Sequence, residues 1–204
     1  MANTPEASPT DILRAEFGEA QVLTAAADMA PFLTDWFGKF TGAALAVLRP
    51  RTVPEVQEMV RACARLGLGI VPQGGNTGLV RGGLPTDPGQ VCLNLGRLNR
   101  IRAISPDDYS AVVEAGCVLW TVKEAVVAHD LFLPLTIGAQ GSCQIGGVIS
   151  TNAGGNNVLR YGMMRDQVLG LEVVLADGSL WDGLSTLRKN NTGPDLKQLF
   201  IGTE

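Results

Sequence analysis

The chain has a single histidine, His129, and this scarcity removes most hydrolytic chemistry. No Ser-His-Asp or Cys-His set can be built without it. It falls in 122–131, which has an amphipathic helical pattern, and a histidine near a helix C-terminus is more often a dipole partner than a catalyst. Cysteine is sparse as well: Cys63, Cys92, Cys117 and Cys143, with no C-x-x-C pair. These spacings do not give the clustered ligands of a tight zinc site, so no metal is expected. The thiols read as buried side chains in a reducing compartment. No apolar run reaches the roughly 18 residues of a membrane span. Positive charge is not in excess: 16 Lys and Arg against 20 Asp and Glu give a net charge of −4, which argues against a nucleic-acid partner. The opening MANTPEASPTD lacks a basic region followed by an apolar one, so no secretory signal is visible. Asn190-Asn191-Thr192 matches a glycosylation acceptor only formally. These absences lead to the expectation of a cytoplasmic protein.

What is present supports a packed core. Hydrophobic residues make up 46% and charged residues 18% of the 204 positions, enough for one large domain or two small ones. A short helix is expected at 10–17, then a mixed, loop-like stretch at 21–37 broken by Pro31. Residues 43–48 read as a buried strand. Thr52-Val53-Pro54-Glu55 forms a capping box that opens a helix with Val56, Met59, Val60 and Cys63 on one face, stopped by Gly67. Residues 69–71 are the next strand, completing a β-α-β unit. A further strand is expected at 91–95 and a second long helix at 118–131. Two hairpins follow from turn signals: 101–104 with 110–114 around Ser105-Pro106-Asp107-Asp108, and 169–175 with 179–181 around Asp177-Gly178. A short helix is read at 196–200. The expected class is therefore α+β, with an N-terminal β-α-β subdomain and a second, mainly antiparallel subdomain flanked by helices. The ending Ile201-Gly202-Thr203-Glu204 is not a polar tail and reads as a cut.

Two glycine-rich segments carry the chemistry. The first, VPQGGNTGL at 71–79, leaves a strand without any charged residue. Glycine lets a backbone approach a ligand closely, and successive amide hydrogens can then hold an anion. Asn76 and Thr77 add side-chain donors. It lacks the lysine of a P-loop, it opens no helix as G-x-G-x-x-G should, and it is not G-x-S-x-G. By itself it is equally a structural turn. The second, PLTIGAQGSCQIGGVISTNAGG at 134–155, combines six glycines with Ser142, Ser150, Thr151 and Asn152. Two such segments suggest one elongated ligand between them, and a dinucleotide has the right length and polarity.

With AVLRPRTVPEVQEMVRAC, VVEAGC, RYGMMRDQVLGLEVVLADG and NNTGPDLKQLFIGTE, these segments resemble the FAD-binding domain of the vanillyl-alcohol oxidase and p-cresol methylhydroxylase superfamily. The similarity is greatest to its D-2-hydroxyacid branch and covers residues from about 43 onward. The resemblance implies an FAD-binding domain at 41–204, preceded by a helical or extended segment at 1–40 and lacking the substrate domain. It implies that Pro72, Gln73, Gly74, Gly75, Asn76, Thr77, Gly78 and Leu79 bind the pyrophosphate. Pro134, Leu135 and Ser142 should line the channel. Gly146, Gly147, Ser150, Thr151, Ala153 and Gly154 should pack on pyrophosphate, ribitol and ring, with Tyr161-Gly162 closing that side. Asn76 stands where covalent members often attach flavin, so FAD is expected to be non-covalent. Pro194 stands where relatives often carry tyrosine, which puts that contact in doubt. The implied activity is oxidation of a D-2-hydroxy acid to a 2-oxo acid by hydride transfer to flavin N5. Electrons would pass to an acceptor such as a quinone or electron-transfer flavoprotein, which would give a cytoplasmic protein a route to the periphery of the inner membrane. Homo-oligomerisation stays open, and the catalytic residues and any metal are expected beyond Glu204. Arg81 and Arg160 lie near the loops, as anion contacts or as plain surface charge. The alternatives are a flavin-binding or interaction module without turnover, and a hydrolase, for which Ser142 has no histidine nearby in sequence.

Overall fold

The computed structural model describes residues 7–204; the first six residues of the N-terminal stretch read above for a signal lie outside the described residues. Helix α1 (Pro9–Phe17) starts where the Ser8 hydroxyl accepts the Asp11 N–H, with proline tolerated in the first turn. Its Leu13 is fully buried in the first core. The stretch 21–37 is more regular than its sequence suggests: it forms β1 (Val22–Leu23) and α2 (Ala26–Leu33), with Pro31 inside the helix. Pro31 removes one helical hydrogen bond, but Ala26, Ala27 and Ala30 favour helix and Leu33 is buried at its end.

The β-α-β unit is β2 (Ala46–Leu48), α3 (Val53–Arg65) and β3 (Gly69–Gln73). Thr52 accepts the Glu55 N–H at 3.3 Å, while the Glu55 carboxylate accepts from the Arg51 N–H rather than closing back on Thr52. Val56, Met59, Val60, Ala62 and Cys63 of α3 are buried against the sheet. Strand β4 (Gln90–Asn94) then inserts between the two strands of that unit, giving the order β1-β2-β4-β3. The last three are parallel and β1 is an antiparallel edge. In this register Gln73 stands beside Asn94, each at the C-terminal end of its strand.

The antiparallel part is two hairpins, β5 (Ile101–Ser105) with β6 (Ser110–Val113) and β7 (Leu171–Val174) with β8 (Leu180–Gly183). Helix α4 (Leu119–Val127) ends four residues earlier than its pattern suggests, because Asp130 adopts a left-handed turn (φ 57°). His129 lies exposed past that end. The second glycine-rich segment is not a ribbon throughout. Its middle forms α5 (Ile145–Ser150), followed by α6 (Val158–Tyr161) and α7 (Met164–Gln167). Ile145 and Val148 anchor α5 in a second core with Leu119, Val122, Leu135 and Ile201. The tail forms a 3-10 turn at Leu196–Leu199. All four cysteines are buried and free. Burial pushes the Cys63 thiol up to about 11 and Cys92 to about 12, so neither is a thiolate near neutrality. Among the described residues no helix is long and apolar enough to cross a membrane, and no group of three His, Cys, Asp or Glu side chains could hold a metal.

Candidate functional site

Beyond the C-terminal ends of β3 and β4, where parallel sheets commonly place their ligands, lies a cleft. Its walls are Pro31, Phe32, Gln73, Gly74, Gly75, Asn76, Asn94, Ser142 and Gln144. The two glycine-rich segments therefore meet. A Cβ on Gly75 would stand 2.2 Å from the Ser142 carbonyl oxygen, and one on Gly74 would stand 3.7 Å from the Gly147 nitrogen. A third segment closes on the same region: the Gly202 and Glu204 amides donate to the Ile149 and Ser150 carbonyls, and the Glu204 carboxylate comes within 3.5 Å of a Cβ placed on Gly82.

The first loop is held by side-chain amides. Gln73 is only 3% exposed, and its Nε2 donates to the Phe32 carbonyl (2.7 Å) and the Gly83 carbonyl (2.8 Å), tying both flanks of the loop together. Asn94 donates from Nδ2 to Gln73 Oε1 (3.1 Å) and to the Gly74 carbonyl (3.2 Å), and accepts the Gly96 N–H. Asn76 takes a left-handed backbone (φ 51°), which asparagine tolerates, and its Nδ2 donates to the Thr34 carbonyl at 2.8 Å. What remains is the main chain: among the described residues no backbone N–H from Gly74 to Gly83 donates to a protein acceptor. A run of uncommitted amides is the physical requirement for a neutral anion cradle.

In the second segment the glycines divide. Gly146 is explained by packing, since a Cβ would lie 2.9 Å from Ala115 Cβ, and its N–H donates to the Ala115 carbonyl. Gly147 is not: no atom lies within 4 Å of a Cβ there, and its N–H has no protein acceptor. The Ser142 side chain is exposed at the mouth of the cleft, and the Gln144 Oε1 is buried without a partner. The site fits the expected FAD: a dipolar cradle for a pyrophosphate, open space at Gly147, and an orphan acceptor beside it.

The other expected residues are distributed unevenly. Gln73, Gly74, Gly75, Asn76 and Ser142 are brought together in the cleft. Pro72 is exposed on β3, Thr77 is half-buried, and Gly78 and Leu79 continue the loop outward. Leu135 is 1% exposed with its side chain in the second core, and its carbonyl accepts from Lys123. The Pro134 carbonyl accepts from Asn157. Thr151 donates its hydroxyl to the Gly147 carbonyl (2.9 Å), while Ser150 and Ala153 use their carbonyls for Glu204 and Met164. Gly154 packs on Val158 and Met163. Tyr161 meets Phe132 edge to face, and Gly162 (φ 77°) turns against Asp166; neither is a wall of the cleft. Arg81 and Arg160 lie exposed over the rings of Phe40 and Tyr161. Pro31, Phe32, Asn94 and Gln144 were missed. Only Asn94 left a trace, as a polar residue near the end of an apolar strand.

Residues 44–183 match the family described as FAD binding domain. The chain is 45% identical over 184 residues to the mitochondrial D-2-hydroxyglutarate dehydrogenase of Bos taurus, covering 90% of this chain and 34% of that protein. It is 48% identical over 172 residues to the enzyme of the same name from Danio rerio, covering 83% and 32%. It thus spans about a third of the length of these curated relatives. The fold is that of a solved alkyldihydroxyacetonephosphate synthase, with a TM-score of 0.81, 17% identity, and coverage of 100% of this chain and 39% of the other. The family resemblance and the fold class expected from the sequence both hold. The cytoplasmic expectation does not: these relatives carry mitochondrial names, which point to mitochondria instead. Net charge and cysteine usage do not differ in any required way between the two compartments, so they gave no basis for that choice.

Proposed function

Because the chain belongs to the FAD binding domain family, we propose that it is the FAD-binding portion, residues 41–204, of a flavin-dependent oxidoreductase acting on a D-2-hydroxy acid. The observation that carries this is the set of uncommitted main-chain N–H groups of Gly74, Gly75 and Asn76, which line one cleft with Ser142, with the Gly147 nitrogen 3.7 Å from a Cβ placed on Gly74. Gly74 to Leu79 hold the pyrophosphate through backbone dipoles. Gln73 and Asn94 keep those dipoles aimed without touching the ligand themselves. Ser142, Gly147 and the 150–154 turn flank the flavin side. When bound, FAD supplies the acceptor for a hydride from the substrate α carbon, leaving a 2-oxo acid. FAD is held non-covalently, since asparagine occupies the position of the first loop that would carry a linkage. A quinone or electron-transfer flavoprotein takes the electrons onward. A D-2-hydroxyglutarate-type substrate is supported by the names of the relatives.

No wall of the cleft has a titratable side chain, and this favours a second reading for the chain on its own, a flavin-binding module without turnover. Titrating the chain with FAD and precipitating it with acid tests binding: the flavin should be taken up and then released to the supernatant. A yellow pellet would overturn the non-covalent assignment. Anaerobic bleaching of the flavin by D-2-hydroxyglutarate or D-lactate, in a full-length protein carrying this segment, tests the activity. FAD bound there but reduced by no hydroxy acid would remove it and leave the module reading.

A further inference from the structure

We propose that Gln144 is a cofactor-contacting residue whose side-chain oxygen accepts a hydrogen bond from a sugar hydroxyl adjoining the FAD pyrophosphate. The inference rests on the FAD reading above. Gln144 directly precedes α5, in the N-cap position, yet its side chain makes no capping bond. Instead the carboxamide fills a slot between two glycines, with Oε1 3.5 Å from a Cβ placed on Gly74 and Nε2 3.2 Å from one on Gly96. The Oε1 is buried and accepts from nothing, and Gln144 is itself a wall of the cleft, so a turn of the carboxamide brings that oxygen to a bound hydroxyl. A buried acceptor left unpaired destabilises a fold, so native structures rarely keep one without a partner from elsewhere. Among the described residues the other atoms in this condition belong to Arg14, Gln21 and Arg49, and none of them lines the cleft. Within the cleft the free main-chain groups donate: the amides of Gly74 and Gly75 have no other use. A diphosphate accepts from those amides and has no proton to offer in return. Hydroxyls on either side of it do, so a donor for Gln144 comes from the ribityl chain or from the adenosine ribose.

The test is a titration of the apo chain with FAD, FMN and ADP-ribose, alongside apo melting temperatures. Gln144→Met removes the acceptor at similar volume. FAD affinity is expected to fall about tenfold, while the apo melting temperature stays level or rises, because the orphan acceptor is gone. A matching loss for FMN assigns the ribityl hydroxyl; a matching loss for ADP-ribose assigns the ribose. Gln21→Met removes an equivalent orphan outside the cleft and should leave affinity unchanged. FAD affinity within about twofold of the unsubstituted chain overturns the proposal. A loss of affinity accompanied by a lower apo melting temperature also overturns it, as does a loss confined to intact FAD. If the unsubstituted chain takes up no FAD, the cofactor reading fails instead.

Discussion

Gly75 and Gly147 stand on the two loops of the cleft and are small for opposite reasons. At Gly75 a methyl group would run into the Ser142 carbonyl at 2.2 Å, so the residue is fixed by the approach of two backbones. At Gly147 a methyl group would meet nothing beyond its own helix within 4 Å, and the residue sits inside α5. Gly75→Ala should therefore lower stability by about 1–3 kcal/mol through overpacking. Gly147→Ala should raise it by about 0.5–1 kcal/mol, the usual gain for alanine in a helix, while weakening FAD uptake severalfold. Melting of the apo chain and an FAD titration check both; a Gly147→Ala variant with unchanged affinity would show that the cofactor does not pass there. The sequence displays both as equivalent letters in glycine-rich runs. Only the position of the facing segment separates them.

At the scale of elements, the hairpins are clamped by one buried carboxylate. Glu114, just past β6, is fully buried at its side chain and accepts from the Arg100 backbone N–H (2.9 Å) and from the Arg100 and Arg102 guanidinium groups; Arg102 also reaches Glu172 on β7 at 3.0 Å. Burial alone would raise the Glu114 carboxyl, but the side-chain and backbone hydrogen bonds from Arg100, with help from Arg102, bring it below the usual range. A depressed folded-state value means its stabilisation is complete above the unfolded pKa of about 4.3. That stabilisation is then lost as pH falls through the lower folded value. Glu114→Gln should cost about 2–3 kcal/mol near neutrality, the scale of a charged hydrogen bond, and should flatten the acid limb of a melting-temperature profile below the unfolded carboxylate pKa. An unchanged acid limb would place the acid sensitivity elsewhere. The hairpin turns were legible from their Asp, Gly and Pro residues. Helix α5 was not, because its own residues disfavour helix and it is held by Ile145, Val148 and the carbonyls of Cys117 and Ala115.

Over the whole molecule the net charge is −4, yet the cleft proposed for a dianion has no charged wall. Binding through fixed dipoles in a partly enclosed site is weakly screened. FAD affinity should thus change less than about threefold between 0.05 and 0.5 M salt. A steep decline with salt would instead implicate Arg81 or Arg160, which lie over Phe40 and Tyr161. By itself the sequence determined the elements whose residues state their own conformation: the capped helix α3, the buried strands, the two hairpins, and the glycine-rich first loop. It also carried the family, since the order of those motifs survives wherever the chain folds. Tertiary structure alone decided that β4 runs between β2 and β3, which sets Asn94 beside Gln73 at the mouth of the cleft. It alone brought Gln144 and Phe32 into the walls. Local propensity acts over a few residues, whereas those contacts join positions tens of residues apart, and their geometry exists only once both cores have packed.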